Sequence, residues 1–286
     1  MSDLVGIPVV DLKSFTVPET KNAFVEAIGK AFEDVGFVAV TNHMIDYDQV
    51  DKFYHQVKSF FGKPRDVKYN YEIPNLAGQR GYTSFGREHA KGSDAPDLKE
   101  FWQFGQPGDG SKLDPVEYPD NVEVDELPEF NSVGMDLYKN FERSGNLLLQ
   151  AIALHLGLEE EYFDARVKNG NSILRAIHYP PITQEPKTSI RAEQHEDINL
   201  ITLLVGASAD GLQVLTLDGQ WVAVNTTPDM IVVNVGDMLQ RLTNGRLKST
   251  THRVVNPSRD QWHTSRLSVP FFLHPKSEVS LNCLTS

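Results

Sequence analysis

The chain has 286 residues, enough for one large domain or two small ones, and its 40% apolar content can still fill a sizeable core. Acidic residues outnumber basic ones by 39 to 27, a formal charge of −12 with no dense basic patch, which argues against nucleic acid as a partner. Cys283 is the only cysteine, and there is neither a signal-like start nor an apolar run of about 20 residues, so a cytoplasmic protein without disulfides or a membrane segment is expected.

Residues 7–11 read as a short strand. Phe24, Ile28, Phe32 and Val35 then recur at helical spacing, and Gly36 closes that helix. Residues 37–40 predict a buried strand; a second helix carries Val50, Phe53, Val57, Phe60 and Phe61 and stops at Gly62-Lys-Pro64. The stretch 77–106 is rich in glycine and polar residues with weak periodicity, which predicts a long functional or mobile loop. A long helix follows, with Val133, Leu137, Phe141, Leu148, Ile152 and Leu156 on its apolar side. Beyond about residue 170 the texture changes to short strands, expected at 198–205, 212–217, 230–235, 250–255 and 267–273. Turn signals separate them, among them Leu217-Asp-Gly219, Gly236-Asp237 and Asn244-Gly245, the last read as a hairpin turn. Such spacing predicts a two-sheet sandwich or barrel with first-half helices packed around it.

The chemistry concentrates in His195-Glu-Asp197, on a predicted strand or strand edge. Strand side chains alternate in direction, so His195 and Asp197 can face one metal while Glu196 points away. His252 offers a second imidazole, and with no cysteine cluster available the donor set is two nitrogens and one carboxylate. Two imidazoles and one carboxylate on one face of an octahedral iron(II) leave open positions for substrates and dioxygen. The tripeptide alone is weak, because a chain with 9 histidines carries one by chance about as often as not. A single histidine such as His252 is also more often packed than ligating.

Arg266-Leu-Ser268 supplies the missing context. Arg266 and Ser268 share one face of the last predicted strand, among Leu267, Val269, Phe271 and Phe272. A guanidinium desolvated by such neighbours needs an anion. Either a distant acid or a ligand carboxylate, held bidentately with the serine hydroxyl as a further donor, meets that need.

Together these residues resemble the isopenicillin N synthase-like family of non-haem iron(II) and 2-oxoglutarate dioxygenases. The resemblance runs in order through Ile7-Pro-Val-Val-Asp-Leu12, Ala31-Phe-Glu-Asp-Val-Gly-Phe37, Thr41-Asn-His43, Phe60-Phe-Gly-Lys-Pro64, Asp97-Leu-Lys-Glu-Phe101 and Tyr179-Pro-Pro181. It continues through His195-Glu-Asp197, Gly211-Leu-Gln-Val214, Val233-Asn-Val-Gly-Asp-Met238, Asn244-Gly245, His252-Arg-Val254 and Arg266-Leu-Ser268. It implies an α+β chain with a double-stranded β-helix, or jelly-roll, core flanked by helices mainly from the N-terminal half. One oxygenase domain over 1–286 follows, with 1–170 mainly helical and the jelly roll in 171–286.

The same resemblance implies that His195, Asp197 and His252 ligate iron(II), and that Arg266, Ser268 and Tyr179 bind 2-oxoglutarate. Dioxygen is then consumed as 2-oxoglutarate is decarboxylated to succinate and carbon dioxide, with hydroxylation or a related oxidation of a small organic substrate. Ascorbate enters as a candidate reductant. Phe272, Phe85 and Arg87 are candidate substrate contacts, whereas His43, His55, His155, His263 and His274 are given no role. Two departures stand out: Ile177 occupies a position where relatives often have asparagine, and His178 replaces a frequent tyrosine. Many relatives also continue past the final strand with a segment that covers the site; here the sequence reaches only Ser286, so either a minimal lid or a shortened chain is expected. Relatives with these residues include oxidases that do not use 2-oxoglutarate, and an inactive jelly-roll binding protein is the reading from another class.

Overall fold

The computed structural model describes residues 6–76, 78–89, 95–108, 113–206, 210–225 and 227–284. The helices are α1 (Pro18–Asp34), α2 (Tyr47–Phe61), α3 (Arg65–Tyr69), α4 (Phe130–His155), α5 (Asp164–Val167) and α6 (Asp237–Leu242). The first half also supplies four strands, β1 (Val9–Asp11), β2 (Phe37–Thr41), β3 (Gly81–Thr83) and β4 (Glu100–Gly105). The second half adds β5 (Ile173–Tyr179), β6 (Ala192–His195), β7 (Ile201–Val205), β8 (Leu212–Leu215), β9 (Trp221–Ala223), β10 (Ile231–Val235), β11 (His252–Val254) and β12 (Arg266–Leu273).

Local chemistry explains the principal helices. Pro18 begins α1, where its missing N–H loses nothing, and Phe24, Ile28 and Phe32 form its buried stripe. Asp46 caps α2 by accepting the Asp48 N–H at 3.0 Å. Val50, Phe53, Val57, Phe60 and Phe61 then point inward. Among the described residues no helix is long and apolar enough to cross a membrane.

The strands form two sheets, one ordered β1-β2-β10-β7-β12-β5-β4-β3 and one ordered β6-β11-β8-β9. This is the expected double-stranded β-helix. The large sheet has two different faces because its strands alternate. Leu267, Val269, Phe271 and Leu273 of β12 join the core beneath α1, α2 and α4. Arg266, Ser268, Pro270 and Phe272 face a cavity closed on the other side by the small sheet. Strand β5 repeats the pattern, with Leu174 and Ala176 in the helical core and Arg175, Ile177 and Tyr179 at the cavity.

Two readings are corrected. The stretch 77–106, expected to be a loop, contains β3 and β4, and of that stretch residues 77 and 90–94 lie outside the described residues. Every residue of β4 is buried, so polar–apolar alternation is absent; the polar Glu100 is held inside by Lys68 Nζ at 2.7 Å. Asn244-Gly245 is no hairpin. It ends α6, with both residues at positive φ and the Gly245 N–H donating to the Gln240 carbonyl at 2.9 Å.

Candidate active site

Strand β6 ends at His195, so Asp197 is not its strand mate as the alternation argument supposed. Asp197 is instead placed by the segment running into β7, which hooks onto the start of α6. The Asp237 N–H donates to the Asp197 carbonyl at 2.7 Å, and the Met238 N–H to the Ile198 carbonyl at 3.1 Å. The hook explains Gly236, since a Cβ there would collide with the Asn199 backbone and side-chain oxygens. Thr251 Oγ1 donates to Glu196, which keeps that carboxylate off the metal-facing side. The third residue, His252, pairs directly with His195 across β11 and β6.

Each of the three donors is oriented by its second polar atom. Nδ1 of His195 lies 2.6 Å from the Glu193 carbonyl and Nδ1 of His252 lies 3.2 Å from the Thr250 carbonyl, so each Nδ1 is the protonated nitrogen and each Nε2 keeps its lone pair. Asp197 Oδ2 accepts from Thr202 Oγ1 at 2.6 Å and Asn234 Nδ2 at 2.9 Å. Thr202 and Asn234 are themselves cross-strand partners in β7 and β10. That leaves Oδ1, which lies 3.9 Å from His195 Nε2 and 3.8 Å from His252 Nε2. Burial and the neighbouring His252 push His195 below its ordinary pKa. Burial opposes ionisation of Asp197, but the two imidazoles and the Thr202 and Asn234 donors outweigh it and hold its carboxyl below the usual range. Two lone pairs and a carboxylate oxygen facing one point fit a divalent cation, and this donor set suits iron(II).

Deeper in the same cavity, Arg266 and Tyr179 are paired across β12 and β5, and Ser268 is paired with Ile177. Arg266 is 1% exposed and its guanidinium lies 5.1 Å from the Tyr179 ring. A second buried guanidinium, Arg191, stands 5.9 Å from the same ring. Burial, with the Arg266 charge added, depresses Arg191 to about 10. Two neighbouring buried guanidiniums make this end of the cavity electropositive. Ile177, at the position of the frequent asparagine, packs with Phe101, Ala192 and Val254 and leaves that wall apolar.

Comparison with known proteins fits this geometry. Residues 170–275 match the 2OG-Fe(II) oxygenase superfamily, and residues 7–124 match the family described as non-haem dioxygenase in morphine synthesis N-terminal. A proline hydroxylase, buaE, from Petromyces alliaceus is 35% identical over 94% of this chain and 86% of its own length. The chain is a 2-oxoglutarate and iron(II)-dependent oxygenase. Among solved structures, a 2OG-Fe(II) oxygenase family protein from Caulobacter crescentus superposes with a TM-score of 0.89 at 40% identity, covering 98% of this chain and 90% of that one. A full-length Neurospora crassa protein in complex with alpha-KG and thymine gives 0.82 at 30% identity, over 96% and 87%.

Outward from the triad, the oxygenase opens into a second cavity of about 400 Å³, with Glu88, Asp97, Lys99 and Arg175 in one wall and Phe272 and His274 nearby. Phe272 lines it. Phe85 and Arg87 do not: Phe85 lies in a separate surface pocket with Pro180 and Pro181, and Arg87 is exposed and paired with Glu72. Gly86, at φ +74, turns the chain between them, and Glu88 reaches the cavity instead. Sequence reasoning gave no role to Arg175, Glu88, Lys99, Asp97, Thr202, Asn234 or Arg191. Of these only Arg175 carried a local signal, a charge inside the otherwise apolar run Ile173-Leu-Arg-Ala-Ile177.

Proposed function

We propose that His195, Asp197 and His252 hold the iron(II), that Arg266, Ser268 and Tyr179 hold the distal carboxylate of 2-oxoglutarate, and that the substrate is a small organic molecule entering through the outer cavity. The observation that carries this reading is the convergence of His195 Nε2, His252 Nε2 and Asp197 Oδ1, every other polar atom of the three being engaged. When bound, iron and 2-oxoglutarate supply the oxidation: one oxygen atom of dioxygen leaves in succinate as carbon dioxide is released, and the other is inserted into a substrate C–H bond. The chain's residues do the positioning. Thr202 and Asn234 fix one oxygen of Asp197 so that the other faces the metal. Arg266 offers a planar fork for a carboxylate, and Arg191 adds positive potential behind Tyr179. Ile177, Leu204 and Val232 keep that end of the cavity dry. Residues 1–286 act as one catalytic unit in this reading, because β2 and β4 are strands of the sheet that carries the site.

A relative bearing the name proline hydroxylase and a structural neighbour solved with thymine support a small polar substrate. The test is anaerobic: iron(II)-loaded protein titrated with 2-oxoglutarate should develop a visible charge-transfer band, weakened in Arg266→Ala. In air, the same protein should release succinate. Absence of both band and succinate would reject the cosubstrate assignment.

A further inference from the structure

The wall of the outer cavity carries a chain of ion pairs. Arg175 Nη1 lies 3.3 Å from Glu88 Oε1, Glu88 Oε2 lies 2.6 Å from Lys99 Nζ, and Lys99 Nζ lies 2.8 Å from Asp97 Oδ2. Asp97 Oδ1 accepts the Glu193 N–H at 3.0 Å, two residues before the metal ligand His195. Lys99 and Asp97 are closed off, with side-chain exposures of 7% and 6%, whereas Arg175 and Glu88 keep 19% and 33%. All four line the cavity, and the outer pair is the more open to a ligand there.

We infer that Arg175 and Glu88 read the substrate, and that this substrate is a small molecule of no net charge presenting an N–H donor beside an oxygen acceptor. The inference rests on the oxygenase reading above. Arg175 is held for the purpose: its Nε donates to Gln103 Oε1 at 2.9 Å, and its guanidinium lies 4.2 Å from the Phe101 ring and 5.3 Å from the Phe272 ring. An acceptor oxygen can meet its remaining N–H groups while a neighbouring N–H meets Glu88. Burial favours a protonated Glu88, but Arg175 and Lys99 overturn it and depress the carboxyl to about 2, so the pair is a fixed dipole. Two cations and two anions cancel along this wall; Glu196, which also lines the cavity, is exposed and bonded to Thr251, and His274, held below its ordinary pKa by burial, adds no charge. A lone anion would approach Arg175 only against Glu88, and a lone cation the reverse. A purely apolar ligand would strip water from both groups and return nothing. Two sources present the required chemistry: the edge of a cyclic amide or imide, and an α-amino acid zwitterion.

Four five-membered-ring probes separate these possibilities: succinimide, L-proline, cyclopentanecarboxylate and pyrrolidine. Each is titrated calorimetrically into the anaerobic iron(II)–2-oxoglutarate protein. The neutral imide or the zwitterion should bind at least about tenfold more tightly than both the monoanion and the monocation, the scale of one lost charge-assisted hydrogen bond. Which of the two binds identifies the source. In Glu88→Gln that preference should disappear, with cyclopentanecarboxylate gaining affinity, because Arg175 then lacks its acidic neighbour. Equal or tighter binding of a monoion to the wild type would overturn the inference, as would no binding by either net-neutral probe. If Glu88→Gln does not fold by circular dichroism, the wild-type ranking decides alone. Failure of the charge-transfer band to form is the separate result that removes the oxygenase reading itself.

Discussion

Thr202→Val tests whether the donors behind Asp197 organise the metal site or only fill space. The substitution keeps the branched shape of a buried side chain and removes its hydroxyl. It removes the 2.6 Å bond to Asp197 Oδ2 and the acceptor for Asn199 Nδ2, 2.9 Å away. Asn199 keeps its bond to the Ile201 carbonyl at 3.1 Å, which limits the secondary loss. A hydrogen bond to a charged group contributes about 1.5–3 kcal/mol, and about 1.4 kcal/mol is tenfold in affinity. Metal affinity should therefore fall by about 10–100-fold, the scale seen when outer-shell partners are removed from metal sites. Thr202→Ser keeps the hydroxyl and should recover most of the affinity while losing a methyl group from the cavity wall. The assay is anaerobic competition between protein and a chelator for manganese(II), alongside urea unfolding of the metal-free proteins. Reduced stability with unchanged metal affinity in Thr202→Val would refute the reasoning, and so would failure of serine to rescue.

Three further outcomes are expected. Arg266→Met should weaken 2-oxoglutarate binding by about 2–5 kcal/mol, while Arg191→Met, acting from behind Tyr179, should weaken it by less; charge-transfer titration measures both, and an equal effect would put Arg191 in direct contact. Gly236→Ala should destabilise by about 1–3 kcal/mol through the collision with Asn199 and should lower metal affinity with it, as Asp197 is on the displaced hook; unfolding without a change in manganese binding would disconnect the two. Glu88 has a folded pKa of about 2 against an ordinary 4.5, so the stability it contributes is complete above about pH 4.5 and is lost as pH falls toward 2. Glu88→Gln should flatten that acid limb in urea midpoints taken from pH 7 to 2.5, modestly because the side chain is a third open to solvent. Parallel curves would show that Glu88 carries no such linkage.

How far the sequence reached depended on whether the relevant neighbours were close along the chain. Arg266 and Ser268 were legible because i and i+2 in a strand share a face whatever the tertiary fold does. His195 was singled out by the His195-Glu-Asp197 pattern and the resemblance that ordered it with the other motifs. Asp197 was assigned through an argument the structure does not follow, since its orientation comes from the α6 hook at Asp237 and Met238. The first-half helices were visible from their buried stripes. Strand β4 was not, because Phe101 and Gln103 face the cavity while Trp102 and Phe104 face the helical core, and burial on both sides erases the alternation that marks a strand. The wall of ion pairs was the least accessible feature. Arg175 and Glu88 meet from positions 87 residues apart, and nothing in either local window indicates a partner.

The inner face of the large sheet carries polar side chains that folding alone does not require. A sandwich built only for stability would place aliphatic side chains at all inward positions of β5, β7, β10 and β12. Here those positions include Arg175, Thr202, Asn234, Arg266 and Ser268. Thr202 and Asn234 are internally matched, since each has a partner in Asp197. Arg266 and Arg191 are buried like charges, and the charge of Arg266 adds to burial in lowering the pKa of Arg191. Two buried like charges oppose folding, and in the function proposed above a bound carboxylate would offset that cost. The helical face, with Leu267, Val269, Phe271 and Leu273 packed against the aromatic core, supplies the compensating stability from the opposite side of the same strand.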